Sequence, residues 1–219
     1  MSSFPNSPRL LKGGIVLIDP VSARVLRVIA LQYNPDTLTR TLTVNSVSAD
    51  GADRADVLRL KGPPAESIKL DAEIDATDQL EFPGENPNAA TLGIFPQLAA
   101  LETIVYPTSA QLQTNNSLAG AGTLEILPME TALMLFVWSR NRIVPVRLTD
   151  FSITEEAFDV NLNPIRARVG LGMRVLSVND LGFAHKGGSL FMSYLQQKER
   201  LAGLFGGAAL STFGLTGIP

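Results

Sequence analysis

Hydrophobic and polar residues alternate most strictly between Pro164 and Leu176. Ile165, Ala167, Val169, Leu171, Met173 and Val175 fall on one side of an extended chain, and Arg166, Arg168, Gly170, Gly172 and Arg174 on the other. This period of two predicts a strand with one face in a core. The second face combines arginine forks with glycines that leave the sheet surface bare to another backbone. It suits contact with another subunit or the wall of a polar channel. The simpler alternative is a solvated face with glycines at bends.

The same pattern divides the rest of the chain. Ile15–Ile18 and Arg24–Gln32 flank D-P-V-S-A, which has turn chemistry, and predict a hairpin. Val25–Leu31 is apolar on both sides except at Arg27, which places it centrally in a sheet. Asn34-Pro35 enforces a turn. Leu38–Val44 follows as a strand, with Thr37, Thr39, Thr41 and Thr43 on one face and Leu38, Arg40, Leu42 and Val44 on the other. Asn45–Glu66 is polar and predicts a long loop. Ser67–Ile74 predicts a strand with Ile68, Leu70, Ala72 and Ile74 inward and Lys69, Asp71 and Glu73 outward.

After a break at Glu81–Asn88, a helix is predicted over about Pro96–Val105, with Leu98, Leu101, Ile104 and Val105 on one face. Thr108–Gly122 is a polar connection. Ala132–Trp138 and Ile143–Leu148 are strands joined at S-R-N-R, and Pro145 predicts an edge or a bulge. Phe151 and Ile153 extend this segment, and E-E-A-F-D-V-N-L-N-P predicts a wide connection. Ser189 predicts the cap of a helix running to about Leu204. The expected fold is mainly β: one β domain over 1–185 with a medial helix, and a C-terminal helix and apolar tail over 186–219. The tail resembles an arm able to dock on a neighbour.

Composition narrows the chemistry. The 219 residues, 45% of them hydrophobic, can bury a real core, and the formal net charge of −3 argues against nucleic-acid binding. The absence of cysteine removes disulfides and thiolate sites. No segment approaches the roughly 20 apolar residues that span a bilayer, and the start of the chain lacks the apolar core of a secretory signal.

Candidate catalytic groups do not assemble into a constellation. His185 is the only histidine, lies in G-F-A-H-K-G-G and has no G-x-S-x-G partner motif. Asp71, Glu73, Asp75 and Asp78 miss the calcium-loop spacing. Glu155 and Glu156, adjacent on a strand, point to opposite faces. The paired glycines lack the context of a phosphate loop. No cofactor or metal is expected. Asp71 and Glu73 instead complement Arg166, Arg168 and Arg174. Ring assembly would bring these faces together across subunits, with charge setting register more than affinity; the alternative is two solvated faces that never meet.

Three segments carry a family resemblance: Tyr33-Asn34-Pro35 between early strands, Pro96-Gln97-Leu98-Ala99-Ala100-Leu101-Glu102, and Phe158 to Ala167, which reads F-D-V-N-L-N-P-I-R-A. In kind and order they resemble the tube-domain proteins of contractile injection systems, over roughly Gly14 to Asp180. The resemblance implies a β-barrel or two-sheet domain forming a hexameric ring, with a spike hub and inner-tube and other baseplate proteins as partners. Many baseplate adaptors of this family carry a LysM-type domain after the tube domain, and none follows Asp180 here. The resulting expectation is a non-enzymatic baseplate adaptor that starts inner-tube assembly, made in the bacterial cytoplasm and incorporated into a particle. The alternatives are the repeating tube subunit and a hydrolase using His185. The expected interface or lumen residues are Thr39, Thr41, Thr43, Asp71, Glu73, Arg166, Arg168, Gly170, Gly172 and Arg174, with the Asn45–Glu66 loop as an axial contact.

Overall fold

The strands predicted by alternation pair into one antiparallel sheet. In the computed structural model, which describes residues 10–46, 59–120 and 131–218, they are β1 (Gly14–Ile18), β2 (Val25–Ala30), β3 (Thr39–Thr43), β4 (Ala65–Asp75), β5 (Leu133–Ser139), β6 (Arg142–Phe158) and β7 (Pro164–Val175). Their spatial order is β2-β1-β5-β6-β7-β4-β3, and every pairing is antiparallel. The fold is therefore mainly β. The sheet is single and open, not a closed barrel or two sheets, because β2 and β3 end it unpaired among the described residues.

The predicted inward residues build the core. Ile68, Leu70, Ala72 and Ile74 of β4 meet Ala167, Val169, Leu171, Met173 and Val175 of β7, with Val144, Val146, Met134, Phe136 and Ile15 continuing the cluster. On β6 the register shifts between Leu148 and Asp150, so Phe151 and Ile153 rather than Asp150 and Ser152 join the core side. Trp138 stacks on Phe136 with ring centroids 5.8 Å apart. A smaller cluster of Ile18, Leu133 and Leu135, with Val16 and Val137, lies on the opposite face of β1 and β5.

Among the described residues four helices, not one, lie between β4 and β5: α1 (Thr77–Leu80), α2 (Pro87–Leu92), α3 (Phe95–Glu102) and α4 (Ser109–Gly120). α3 is the predicted proline-headed helix; Leu98 and Leu101 are buried, whereas Val105 lies beyond its end and is exposed. α4 replaces the expected polar connection and buries no residue, so no apolar stripe announced it. Two further helices follow β7, α5 (Val178–Leu181) and α6 (Lys186–Gly203). α6 starts before Ser189: His185 is its N-cap, its Nδ1 accepting from the Gly187 amide at 3.0 Å. Phe191 and Tyr194 of α6 enter the main core. Among the described residues no helix is long and apolar enough to cross a membrane.

Three strand expectations are corrected. Val25–Leu31 is not central: β2 is an edge, with Val25, Leu26 and Val28 exposed. Pro145 is neither at an edge nor in a bulge; it is buried in the central strand β6, opposite Leu135. Its carbonyl accepts from Leu176 just past the end of β7, and N–H and C=O of one residue point the same way in an antiparallel ladder. The missing N–H therefore faces the end of β7, where little ladder is lost. The wide connection after Glu155 is instead the continuation of β6 to Phe158 and a tight return into β7.

Candidate assembly surface

The ten residues expected at an interface or lumen share one face of three neighbouring strands. Thr39 pairs with Lys69 and Lys69 with Gly172; Thr41 pairs with Ser67 and Ser67 with Arg174. Asp71 lies opposite Gly170, and Glu73 opposite Arg168. Thr43 ends the row on β3, opposite Ala65. β4 lies between β3 and β7 and joins their polar faces into one surface.

The acidic and arginine faces thus meet inside one subunit, on neighbouring strands, rather than across subunits or not at all. Arg166 bonds Asp75 at 2.7 Å and approaches Glu73 at 3.9 Å. Arg168 pairs with Glu156 at 3.6 Å, and Arg174 with Asp180 at 2.7 Å. Burial pushes the Asp75 carboxyl up, but hydrogen bonds from Thr77 and Arg166 outweigh it and hold the group below its ordinary range. The glycines also serve neighbours in the same chain. A Cβ on Gly172 would sit 2.8 Å from the Asp150 Cβ, and one on Gly170 2.5 Å from the Ser152 Oγ. These β6 side chains lean across β7, which covers part of the surface expected to be bare.

Three clamps escaped the pattern of alternation because each depends on one side chain reaching a distant backbone or charge. Glu66, at the start of β4, lies on the core side and is only 4% exposed. Its Oε1 accepts from Arg40 Nε at 2.8 Å, Arg40 Nη2 at 2.6 Å and Tyr194 Oη at 3.1 Å, and its Oε2 from Lys198 Nζ at 2.9 Å. The Lys198 ammonium also lies 4.1 Å from the Tyr194 ring centroid. Burial pushes this carboxyl up, and the Lys198 and Arg40 bonds more than offset it, so it stays below the usual range. The result ties α6 to β3 and β4.

The other two clamps are the Asn-Pro motifs. Asn34 accepts from the Gly13 amide at 2.9 Å and donates to the Leu11 carbonyl at 2.8 Å, fixing the entry to β1. Asn163 donates to Asp159 Oδ2 at 2.8 Å and to the Thr91 carbonyl at 3.1 Å, and the Ile94 amide donates to the Pro164 carbonyl at 2.8 Å. The β6–β7 turn is thereby bound to the α2–α3 junction. Asp159 also accepts from the amides of Asn161 and Asn163, bonds that lower its carboxyl's pKa, led by the Asn163 side chain. Within this turn Leu162 adopts φ 65°, and Val160 and Leu162 project into solvent.

The two sheet edges differ in chemistry. β3 presents Thr39, Thr41 and Thr43, with Leu42 and Val44 exposed beside them. β2 presents Val25, Leu26 and Val28. Its one charged residue, Arg27, turns away to α3, donating to the Ala100 carbonyl at 3.1 Å and Thr103 Oγ1 at 2.7 Å. The candidate axial loop falls largely at 47–58, outside the described residues; the Ser46–Leu60 bridge closes its base. Among the described residues no cluster of three or more histidine, aspartate or glutamate side chains could hold a metal. No protein-family model matches this chain, and no curated protein matches it.

Proposed function

We propose that this chain is a ring-forming structural component of a contractile injection system, a baseplate adaptor that joins the spike hub to the inner tube and starts tube assembly. The observation that carries the reading is β2, an edge strand with two apolar faces and an unguarded backbone. Edge strands of isolated proteins are protected by charge, proline or a covering element. Here Arg27 is diverted to α3, so the edge is prepared for a partner strand.

The geometry favours a head-to-tail ring. Seven antiparallel strands run alternately, so the two edge strands point the same way. When copies are related by rotation about an axis roughly along the strands, β3 of one copy lies parallel to β2 of the next. Such a heterologous contact gives a ring where its rotation closes, and the resemblance supplies a closed count of six. The polar face of β3, β4 and β7 then lines the lumen, its three arginines already engaged by carboxylates of the same subunit. The three motifs that carry the resemblance act as scaffold: two Asn-Pro clamps and the buried face of α3.

A structural role is also supported at His185, whose Nδ1 is engaged in capping α6. In a bacterium, the adaptor would fold in the cytoplasm and enter the particle during baseplate assembly. Quantitative mass spectrometry of purified particles tests the adaptor role. One ring's worth of copies per particle, located by electron microscopy beside the spike, is expected. Abundance equal to the main tube protein would make the chain the repeating subunit, and absence from particles would refute the reading.

A further inference from the structure

From Asp71 to Ser139 the chain has no lysine, arginine or histidine. The segment of α1, α2 and α3 therefore carries acids without local counter-charges: Asp78, Glu81, Glu85 and Glu102. None of the described ion pairs uses these four. Between the α1–α2 segment and the head of α3 lies a cleft of about 260 Å³, whose walls include Gln79, Glu85, Asn86, Asn88 and Gln97 and no basic residue. Sites for whole small molecules begin near about 300 Å³, so this one is of a size for a single side chain.

The cleft is poor in donors and rich in acceptors. The backbone amides of Glu85, Asn86, Gly93 and Gln97 are spent on the carbonyls of Phe82, Ala89 and Ile94, and Pro87 and Pro96 have none. Asn86 Nδ2 donates to the Gln79 and Phe82 carbonyls at 3.2 and 3.1 Å, which leaves Oδ1 as the accepting end. Gln97 Oε1 is buried without a hydrogen-bond partner, the single such side-chain atom among the described residues. A buried acceptor in that state has lost its water and gained nothing in exchange. Glu85 adds an exposed carboxylate. Phe82, Leu92 and Phe95, on the same segments, are 45–56% exposed.

We propose that this cleft is a socket for an arginine side chain carried on a segment of a partner protein. A guanidinium offers five donors in a flat fork and no acceptor, the complement of Glu85, Asn86 Oδ1 and Gln97 Oε1. Lysine brings a compact point charge that serves several acceptors less well. The uncompensated acids of α1 to α3 attract a basic segment and repel an acidic one. Exposed Phe82, Leu92 and Phe95 favour a protein source over free arginine, because they offer apolar contact to the residues that flank the arginine. The socket does not depend on ring assembly.

The test is saturation-transfer NMR on the full chain with a tripeptide of arginine between two leucines, both ends blocked. Transfer to the arginine side chain with a midpoint on the order of millimolar is expected. Citrulline in place of arginine, which swaps the guanidinium for a neutral urea, should bind about tenfold more weakly. Glu85→Gln, at an exposed position, should weaken the arginine peptide by about fivefold. Gln97→Met keeps the side-chain length and removes the acceptor. It should weaken binding by about threefold while holding or raising the urea midpoint of unfolding, because the orphaned oxygen is gone. Equal binding of the citrulline peptide, or binding that both variants leave unchanged, overturns the socket. Free arginine binding more tightly than the tripeptide overturns the protein partner.

Discussion

Glu66 shows how much of this molecule depends on single side chains. It is 4% exposed and surrounded by Arg40, Lys198 and Tyr194. Removing its charge leaves two cations without their partner, and both are only partly screened by water. Glu66→Gln is expected to destabilise the fold by about 2 kcal/mol, read as a lower urea midpoint; an unchanged midpoint contradicts the clamp. The pH dependence follows from the same group. Its folded pKa lies below the ordinary 4.5, so its contribution is present above that pH and is lost as pH falls through the folded value. Amide protection in the last turns of α6, taken relative to intrinsic exchange at each pH, should therefore fall on acidification below about pH 4.5 and stay flat above it. At Gly172 the close Asp150 Cβ is part of the β6 backbone frame. Gly172→Ala should cost about 1–3 kcal/mol. Gly170→Ala should cost less, because the Ser152 hydroxyl can rotate aside; equal costs would contradict this.

At the level of elements, the β6–β7 hairpin is the spine of the sheet, and its turn is held by Asn163. Asn163→Ala removes bonds to Asp159 and the Thr91 carbonyl and should cost about 1–2 kcal/mol. Faster exchange at both the turn and the Ile94 amide should accompany it; exchange confined to the turn would mean that α2 and α3 are held some other way. The alternation of β4 and β7 was readable because one face of each is buried within the chain. β2 was misplaced for an instructive reason: two apolar faces report a strand that needs covering, not which molecule covers it. α4 was missed because it has no buried stripe, and the long β6 because its shift between Leu148 and Asp150 interrupts the period. The ten residues expected at an interface or lumen were legible strand by strand, because on each strand they alternate with core positions. Their pairing partners were not, since strand order is a long-range property that alternation does not encode.

For the whole molecule, the central claim is that an open sheet with unlike edges assembles head to tail. Val28→Lys puts a charge on the exposed apolar edge strand while leaving the core intact, so its effect on folding should stay within about 0.5 kcal/mol. Native mass spectrometry of the wild-type chain and of Val28→Lys over increasing concentration tests the claim most directly. A closed assembly of six copies for the wild type and single copies for the variant is the predicted result. A wild-type chain that remains a single copy at every concentration, or a variant that assembles equally well, would contradict it.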